Sequence, residues 1–334
     1  MTETYIITPN YNGKQFLKKY FESILKQSYT NFKVIFIDNS TLKDSYKYIR
    51  QNHHEELKNG KIIFVKSKEN HGFAKSNNLG IKMAFKDKEC KYVICLNNDT
   101  CLKPEFLREL VLCAKRHPDA SSIQSKMIWG ANPNLIDSAG LEYSKNGLGF
   151  NRGAYESVDK YNEEKEIFGC CAGACLFRRE ALEDVKIDEK CFDEDFFAYY
   201  EDFDLALRLR WAGWSSWYSP QAEIYHYKGA SSGIKSDFTI YHNWRNYTWT
   251  VFKNIPTFYL IKYGFLIFLS ELLQFLINIG RGKIRIIIKA KIDAYSNLAV
   301  FLKKKKKIKK RVEFRELEKF FILKWMVNTP DRIK

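Results

Sequence analysis

Over the first hundred residues, short apolar runs alternate with longer amphipathic stretches. Residues 5–8 form a β-rich run stopped by Pro9-Asn10-Tyr11-Asn12-Gly13, a cluster with turn chemistry. From Phe16 to Gln27 the apolar positions Phe16, Leu17, Tyr20, Phe21, Ile24 and Leu25 recur at helical spacing. Residues 33–37 are a continuous apolar strand ending at Asp38-Asn39-Ser40. The pattern then predicts a helix over 43–57, a strand over 61–65, a loop at Asn70-His71-Gly72 and a helix reaching Ala84. A strand over 92–96 ends at Asn97-Asn98-Asp99. Apolar strands separated by helices imply a mainly parallel sheet covered on both faces, an α/β fold. Polar residues collect at three strand ends, Asn10/Asn12, Asp38/Asn39 and Asn97/Asp99. Ligands of open α/β sheets bind beyond that edge, so the three clusters predict a site.

Residues 120–250 read as mixed strands and loops, with one clear helix over 201–213. After Pro256 the character changes. Residues 258–279 are mostly apolar but carry Lys262, Glu271 and Gln274, a marginal candidate for a membrane span of about 20 residues. The expected division is therefore an α/β domain over 1–254 and a helical, basic, membrane-associating region over 255–334.

The formal charge of +16 changes this picture only at the C-terminal end. Residues 281–334 hold 18 Lys/Arg against 5 Asp/Glu, a net of +13, which leaves +3 for the rest. Nucleic acid is thus an unlikely partner, confined to a tail-driven alternative. The eight residues Lys303–Lys307, Lys309, Lys310 and Arg311, beside an apolar helix pair, instead predict attraction to an anionic membrane surface through residues 255–311. The N-terminus lacks the basic and long apolar regions of a signal peptide. The eight cysteines match neither a CxxC zinc pattern nor a disulfide ladder. Buried, reduced thiols are the expectation, with the protein at the inner face of the cell membrane. No GxGxxG follows the first strand and no GxxxxGK[ST] occurs, which removes the main support for dehydrogenase and P-loop readings.

Three segments carry chemistry. Asn97-Asn98-Asp99 presents side-chain oxygens at the sheet edge, where Mg²⁺ or Mn²⁺ would offset charge on a diphosphate leaving group. Asp99 is the strongest ligand candidate and Asn97 its helper. Glu201-Asp202-Phe203-Asp204 places acids at a helix start, with Asp202 the candidate base for an acceptor hydroxyl and Glu201 or Asp204 its supports. His226 precedes a Lys/Gly/Ser loop over 228–233 and is a candidate to complete the metal shell.

Taken in order, these segments resemble glycosyltransferase family 2 of the GT-A fold, nearest to rhamnosyltransferase-like members. Pro9-Asn10-Tyr11-Asn12-Gly13 resembles the family's P-x-Y-N-G start, and Asp38-Asn39-Ser40 its D-N-x-S strand end, whose Asp contacts the donor base. The run from Asn70 and Gly72 through Lys75 and Asn77 to Gly80 resembles a nucleotide-side loop. Asn97-Asn98-Asp99 stands in for the metal-binding DxD, departing from it at Asn97. Gly173 to Arg179 resembles the strand beside the acceptor, Glu201-Asp202 the motif supplying the base, and Arg208 to Trp214 an R-x-x-x-x-G-W segment. His226 to Gly233 matches the metal-binding His and its loop. Tyr241 to Asn246 resembles a recurrent R-N segment without an assigned role.

The resemblance implies an inverting transfer from dTDP-rhamnose or a UDP-sugar to a glycan or lipid-linked acceptor. It places Pro9, Tyr11, Asn12, Asp38, Asn70, Gly72, Lys75, Asn77 and Asn98 on the donor side. Asp202 is then catalytic, with Glu201, Asp204, Arg208 and Trp214 at or behind the acceptor site. The competing reading is a nucleotide-sugar-binding pseudoenzyme, against which the presence of Asp99, Asp202 and His226 argues.

Overall fold

The structure, a computed structural model, describes residues 2–227 and 236–326. The loop expected over 228–233 lies outside the described residues. The first half follows the predicted order. Strands Thr4–Asn10, Phe32–Asp38, Ile62–Lys66 and Tyr92–Leu96 pair in parallel, with Thr4–Asn10 between Phe32–Asp38 and Tyr92–Leu96. Their alternate side chains enter separate cores on the two faces of the sheet, one holding Ile7, Ile35 and Cys95, the other Ile6, Phe36 and Ile94. Burial on both faces explains why these strands read as continuous apolar runs.

One helix differs from expectation. The helix over 43–57 is broken at His53, which leaves helical geometry (φ −135°) between Asp44–Asn52 and His54–Lys58. Its ring packs instead on Phe21, 4.7 Å between centroids. The Asn70–Gly72 loop closes directly into helix Gly72–Ala84, with Asn70 Oδ1 accepting the Gly72 N–H at 3.0 Å.

The second half makes the sheet mixed. Ala174–Arg178 runs antiparallel between Tyr92–Leu96 and Ala120–Trp129, and Ser215–His226 continues the sheet parallel to Ala120–Trp129. The end of Ser215–His226 pairs back on Thr100–Leu102, with His226 opposite Thr100. That register sets His226 beside Asp99.

The C-terminal region changes in composition at 255, but its packing is continuous with the body. Phe301, Phe314 and Phe321 join Tyr143, Phe203 and Trp249 in one core, and Phe321–Ile322 pairs with Leu141–Ser144. Nor is the basic run at 303–311 a free tail. Lys304 pairs with Asp193 and Asp195, Lys307 with Asp188, and Lys309 and Arg311 with Asp184. Opposite charge on the catalytic body therefore takes up half of the eight cations expected to face an anionic surface. All eight cysteines are free and six are buried, as their scatter suggested.

Candidate active site

The three polar strand ends meet through Asn10. Its amide donates to Asp38 Oδ1 at 2.8 Å, and Asn98 Nδ2 donates to Asn10 Oδ1 at 2.5 Å. Next to them opens a cavity of about 460 Å³ lined at one end by Asn97, Asp99, Asp137 and His226 and at the other by Ala172, Glu201 and Asp202. Segments more than a hundred residues apart in the chain thus share one cleft.

At the first end, His226 Nε2 lies 3.1 Å from Asp99 Oδ1, and Asn97 Nδ2 lies 3.4 Å from the same ring nitrogen. The other ring nitrogen, Nδ1, lies 2.6 Å from Asp137 Oδ2. Burial alone would push the imidazole down, but the flanking Asp99 and Asp137 carboxylates outweigh it and raise His226 to about 10. A carboxylate behind the far nitrogen of a ligating His fixes ring orientation and basicity. Adjacent ligand atoms on a cation with bonds of about 2.1 Å sit about 3 Å apart, so the Asp99–His226 spacing fits a divalent ion in place of the bridging proton. Asp137 was not legible in the sequence. It lies in an irregular stretch with no motif, and only the need of a ligating His for a partner points to it.

The second end is built on strain. Phe197, Tyr199 and Tyr200 all hold positive φ (65°, 69° and 68°) immediately before helix Glu201–Trp211. Each such residue costs roughly 1–3 kcal/mol and persists only where its surroundings hold it. Asn246 supplies the hold: its Nδ2 lies 2.7–2.9 Å from the carbonyls of Phe196, Ala198 and Tyr199. Arg245 donates to the Phe196 carbonyl at 3.0 Å. This is the role of the R-N segment that sequence alone left unassigned. The donor-side helix docks on the same loop, with the N–H groups of Phe73 and Ala74 donating to Phe197 O at 2.7 and 3.1 Å. Gly72, at φ +68°, is needed there because a Cβ would fall 2.6 Å from that oxygen.

Desolvation dominates at Asp202 and raises it to about 6, even though backbone N–H groups such as Phe203's, at 2.9 Å, oppose it. Burial, and then the charge on Asp202, push Glu201 well above the usual carboxylate range. Of two adjacent acids one ionises first, and the larger upward push on Glu201 makes Asp202 the stronger acid of the pair. A carboxylate at about 6 is ionised at neutral pH yet more basic than a free Asp, which suits a general base.

Asp204, Arg208 and Trp214 stay behind this surface. Asp204 is fully buried against Arg208 (2.9 Å) and Lys253 (2.7 Å), which outweigh its desolvation and keep its carboxyl low. The Arg208 guanidinium also donates to Val185 and Cys191 carbonyls. Trp214 does not line the cleft; its indole N–H donates to Asp184 at 2.9 Å, where Arg311 also binds. None of the three lines the cleft, and their contacts hold helix Glu201–Trp211 and its C-terminal turn.

The donor-side residues divide. Tyr11 and Asn12 are exposed, with the Asn12 N–H bonded to Ser40 Oγ at 2.7 Å, and Pro9 and Asn70 lie at the accessible strand and helix ends. Lys75 is partly exposed and 3.7 Å from Glu69. Asp38 does not face the cleft: it is fully buried, held by Asn10 and by Lys66 at 2.9 Å. Asn77 is likewise buried, its amide donating to the Phe73 carbonyl, and Asn98 is buried against Asn10. These three shape the edge from beneath, with Asp38 and Asn98 held by buried neighbours and Asn77 Oδ1 buried without a partner.

One further metal-type cluster, Cys113–His117–Glu164, lies away from the cleft. Its Glu164 is already paired with the Arg116 guanidinium.

A mainly parallel sheet with helices on both faces, carrying its polar edge at Asn97–Asp99 and closed by a strand that returns a His to that edge, defines a glycosyltransferase of the GT-A fold. The family model "Glycosyl transferase family 2" matches residues 5–186, and the chain belongs to that family. It is 47% identical over 66 residues, 20% of each chain, to an N-acetylglucosaminyl-diphospho-decaprenol L-rhamnosyltransferase of Mycobacterium tuberculosis. It is 23% identical over 307 residues to an uncharacterized glycosyltransferase of Methanocaldococcus jannaschii, covering 84% of this chain and 94% of that one. The chain spans 20–25% of the length of two of the curated relatives it matches. Among solved structures, GalNAc-T7 with UDP, GalNAc and Mn²⁺ superposes with a TM-score of 0.58 at 14% identity, over 75% of this chain and 48% of that one. The likeness is one of fold.

Proposed function

We propose that this glycosyltransferase moves a sugar, with inversion, from a nucleoside-diphosphate donor to a hydroxyl of a glycan or lipid-linked acceptor in surface glycan synthesis. The observation carrying this reading is that Asp99, His226 and Asp202 line a single cavity. Asp99 and His226, with Asn97 beside them, would hold Mg²⁺ or Mn²⁺. When bound, a divalent cation there supplies positive charge that offsets the charge on a departing diphosphate. Mn²⁺ in a solved GT-A neighbour supports a metal of this kind. Asp202 accepts the acceptor's hydroxyl proton as the oxygen attacks the anomeric carbon from the face opposite the leaving group. Glu201, kept neutral, offers a hydrogen bond rather than a second negative charge. For the donor, dTDP-rhamnose and UDP-sugars are the two candidates, drawn from the rhamnosyltransferase relative and the UDP-bound neighbour. A thermal-shift screen of nucleotide sugars with Mn²⁺ and Mg²⁺ tests it. A metal-dependent rise in Tm with one of these donors supports the reading, and no shift with any of them sinks it.

We further infer that the enzyme works on the cytoplasmic face of a membrane, with helix Thr257–Ile279 lying along the surface. This 23-residue helix is long and apolar enough to cross a bilayer by length and composition. Its flank is nevertheless tied to the protein at three levels: Lys262 and Tyr263 on Glu318, Glu271 on Lys291, and Gln274 on the Trp325 carbonyl. Ties from Lys262 to Gln274 favour a helix that lies on the surface, with Ile261, Phe265 and Phe268 turned outward.

A further inference from the structure

The catalytic cavity does not end at Asp202. Tyr200 and Asn243, which line it, also line a small void of about 120 Å³. Trp244 and Glu271 of that void in turn line a groove of about 630 Å³ between helices Thr257–Ile279 and Ile284–Ser296. Three cavities therefore run in series from the base to the C-terminal helix pair, each sharing two residues with the next.

The groove is of a different chemical kind from the cleft. Phe268, Leu272, Phe275, Ile287, Ile288 and Ile292 line it. Its two charged residues cancel, since Lys291 Nζ pairs with Glu271 at 2.8 Å and donates to Thr248 at 2.9 Å. Trp244, Tyr295 and Ser296 complete the lining, whose predominantly apolar area favours a hydrocarbon. The mouth is equally apolar. Phe268, Leu272, Ile288 and Ile292 are exposed as well as lining it, 64%, 40%, 47% and 59% respectively, and they continue into the exposed Ile261 and Phe265. The groove thus opens on the apolar face, and its inner side shares Trp244 and Glu271 with the void that adjoins the catalytic cavity.

We propose that this groove holds the hydrocarbon chain of a lipid-linked acceptor, with the chain-borne sugar reaching Asp202 past Tyr200, Asn243 and Trp244. This rests on the transferase reading above and narrows its acceptor to a hydroxyl carried on a long apolar chain. The groove sets which acceptors are used; it takes no part in the bond-making step.

The test uses the full chain with phosphatidylcholine vesicles containing a C20 polyprenyl phosphate that bears a diazirine on its tail, with adducts mapped by mass spectrometry. The expected adducts fall on Trp244, Phe275 and Ile287, inside the groove. Ile288→Trp, which fills the groove from a half-exposed position, should lower their yield about tenfold, the factor for two methylene groups losing apolar contact. Leu272→Trp should act alike if the first variant fails to fold, and both should keep the wild-type rate of nucleotide-sugar hydrolysis. Adducts confined to Phe258, Ile261 and Phe265 and unchanged by either variant would overturn the groove and leave a surface contact only. A dimer that excludes the probe from the groove, seen as a doubled mass, would overturn it in favour of a second copy as occupant. Absence of donor hydrolysis in the wild-type chain counts against the transferase reading instead, whatever the adduct map shows.

Discussion

At the scale of single residues, Asp202 carries opposite consequences for stability and for chemistry. Its folded-state carboxyl, raised to about 6, lies above the ordinary Asp value of 3.8. Folding therefore favours the protonated form, and stability falls as pH rises between those two values. Above pH 6 the penalty is complete, at most ~3 kcal/mol and less because Asp202 is partly open to the cleft. Asp202→Asn should thus be more stable than wild type at pH 7.5 and equal to it below pH 4, by urea denaturation. The same substitution should cut transfer by about 10²–10⁴-fold, and the wild-type rate should decline as pH drops through 6. Asp137→Asn should weaken cation affinity about 10–100-fold, read by Mn²⁺ titration, because it removes the group that orients His226. An unchanged titration would mean that Asp137 only fills space.

Between elements, the decisive contact is the clamp of helix Asp237–Asn254 on the strained loop before helix Glu201–Trp211. Asn246→Ala removes the two N–H donors that serve three carbonyls and should cost ~2 kcal/mol of stability. Turnover should fall further than donor affinity, because the loop sets Asp202 rather than the nucleotide. Equal losses in kcat and donor Kd would contradict that division. The elements of the first hundred residues were legible because each strand is apolar on both faces and stops at a polar residue. The clamp was visible only as a recurring pair, Arg245-Asn246. Its meaning depends on carbonyls some 50 positions earlier, a pairing no local pattern encodes. Likewise the antiparallel strand Ala174–Arg178 is held by partners on both sides that are distant in sequence.

For the whole molecule, the distribution of charge and apolar surface separates what composition suggested from what the fold allows. Residues 303–311 read as a membrane-facing basic run because their partners Asp184, Asp188, Asp193 and Asp195 lie more than a hundred residues away. With half of those cations bound, the proposed membrane attachment rests on the exposed apolar face of Thr257–Ile279. Ile261→Glu with Phe265→Glu should reduce vesicle sedimentation about a hundredfold, whereas raising salt should change it little. Strong salt dependence would return the basic run to the leading role. The cleft itself is assembled at this scale. The first half of the chain supplies Asp99, and the second half returns both Asp202 and His226 to it.

That convergence is most directly tested by calorimetric titration of UDP and dTDP, each with Mn²⁺, into wild type, Asp99→Ala and Asp202→Asn. One nucleotide should bind wild type and Asp202→Asn with similar affinity and lose its metal dependence in Asp99→Ala. Binding to Asp99→Ala with the metal dependence intact would contradict a cation held between Asp99 and His226.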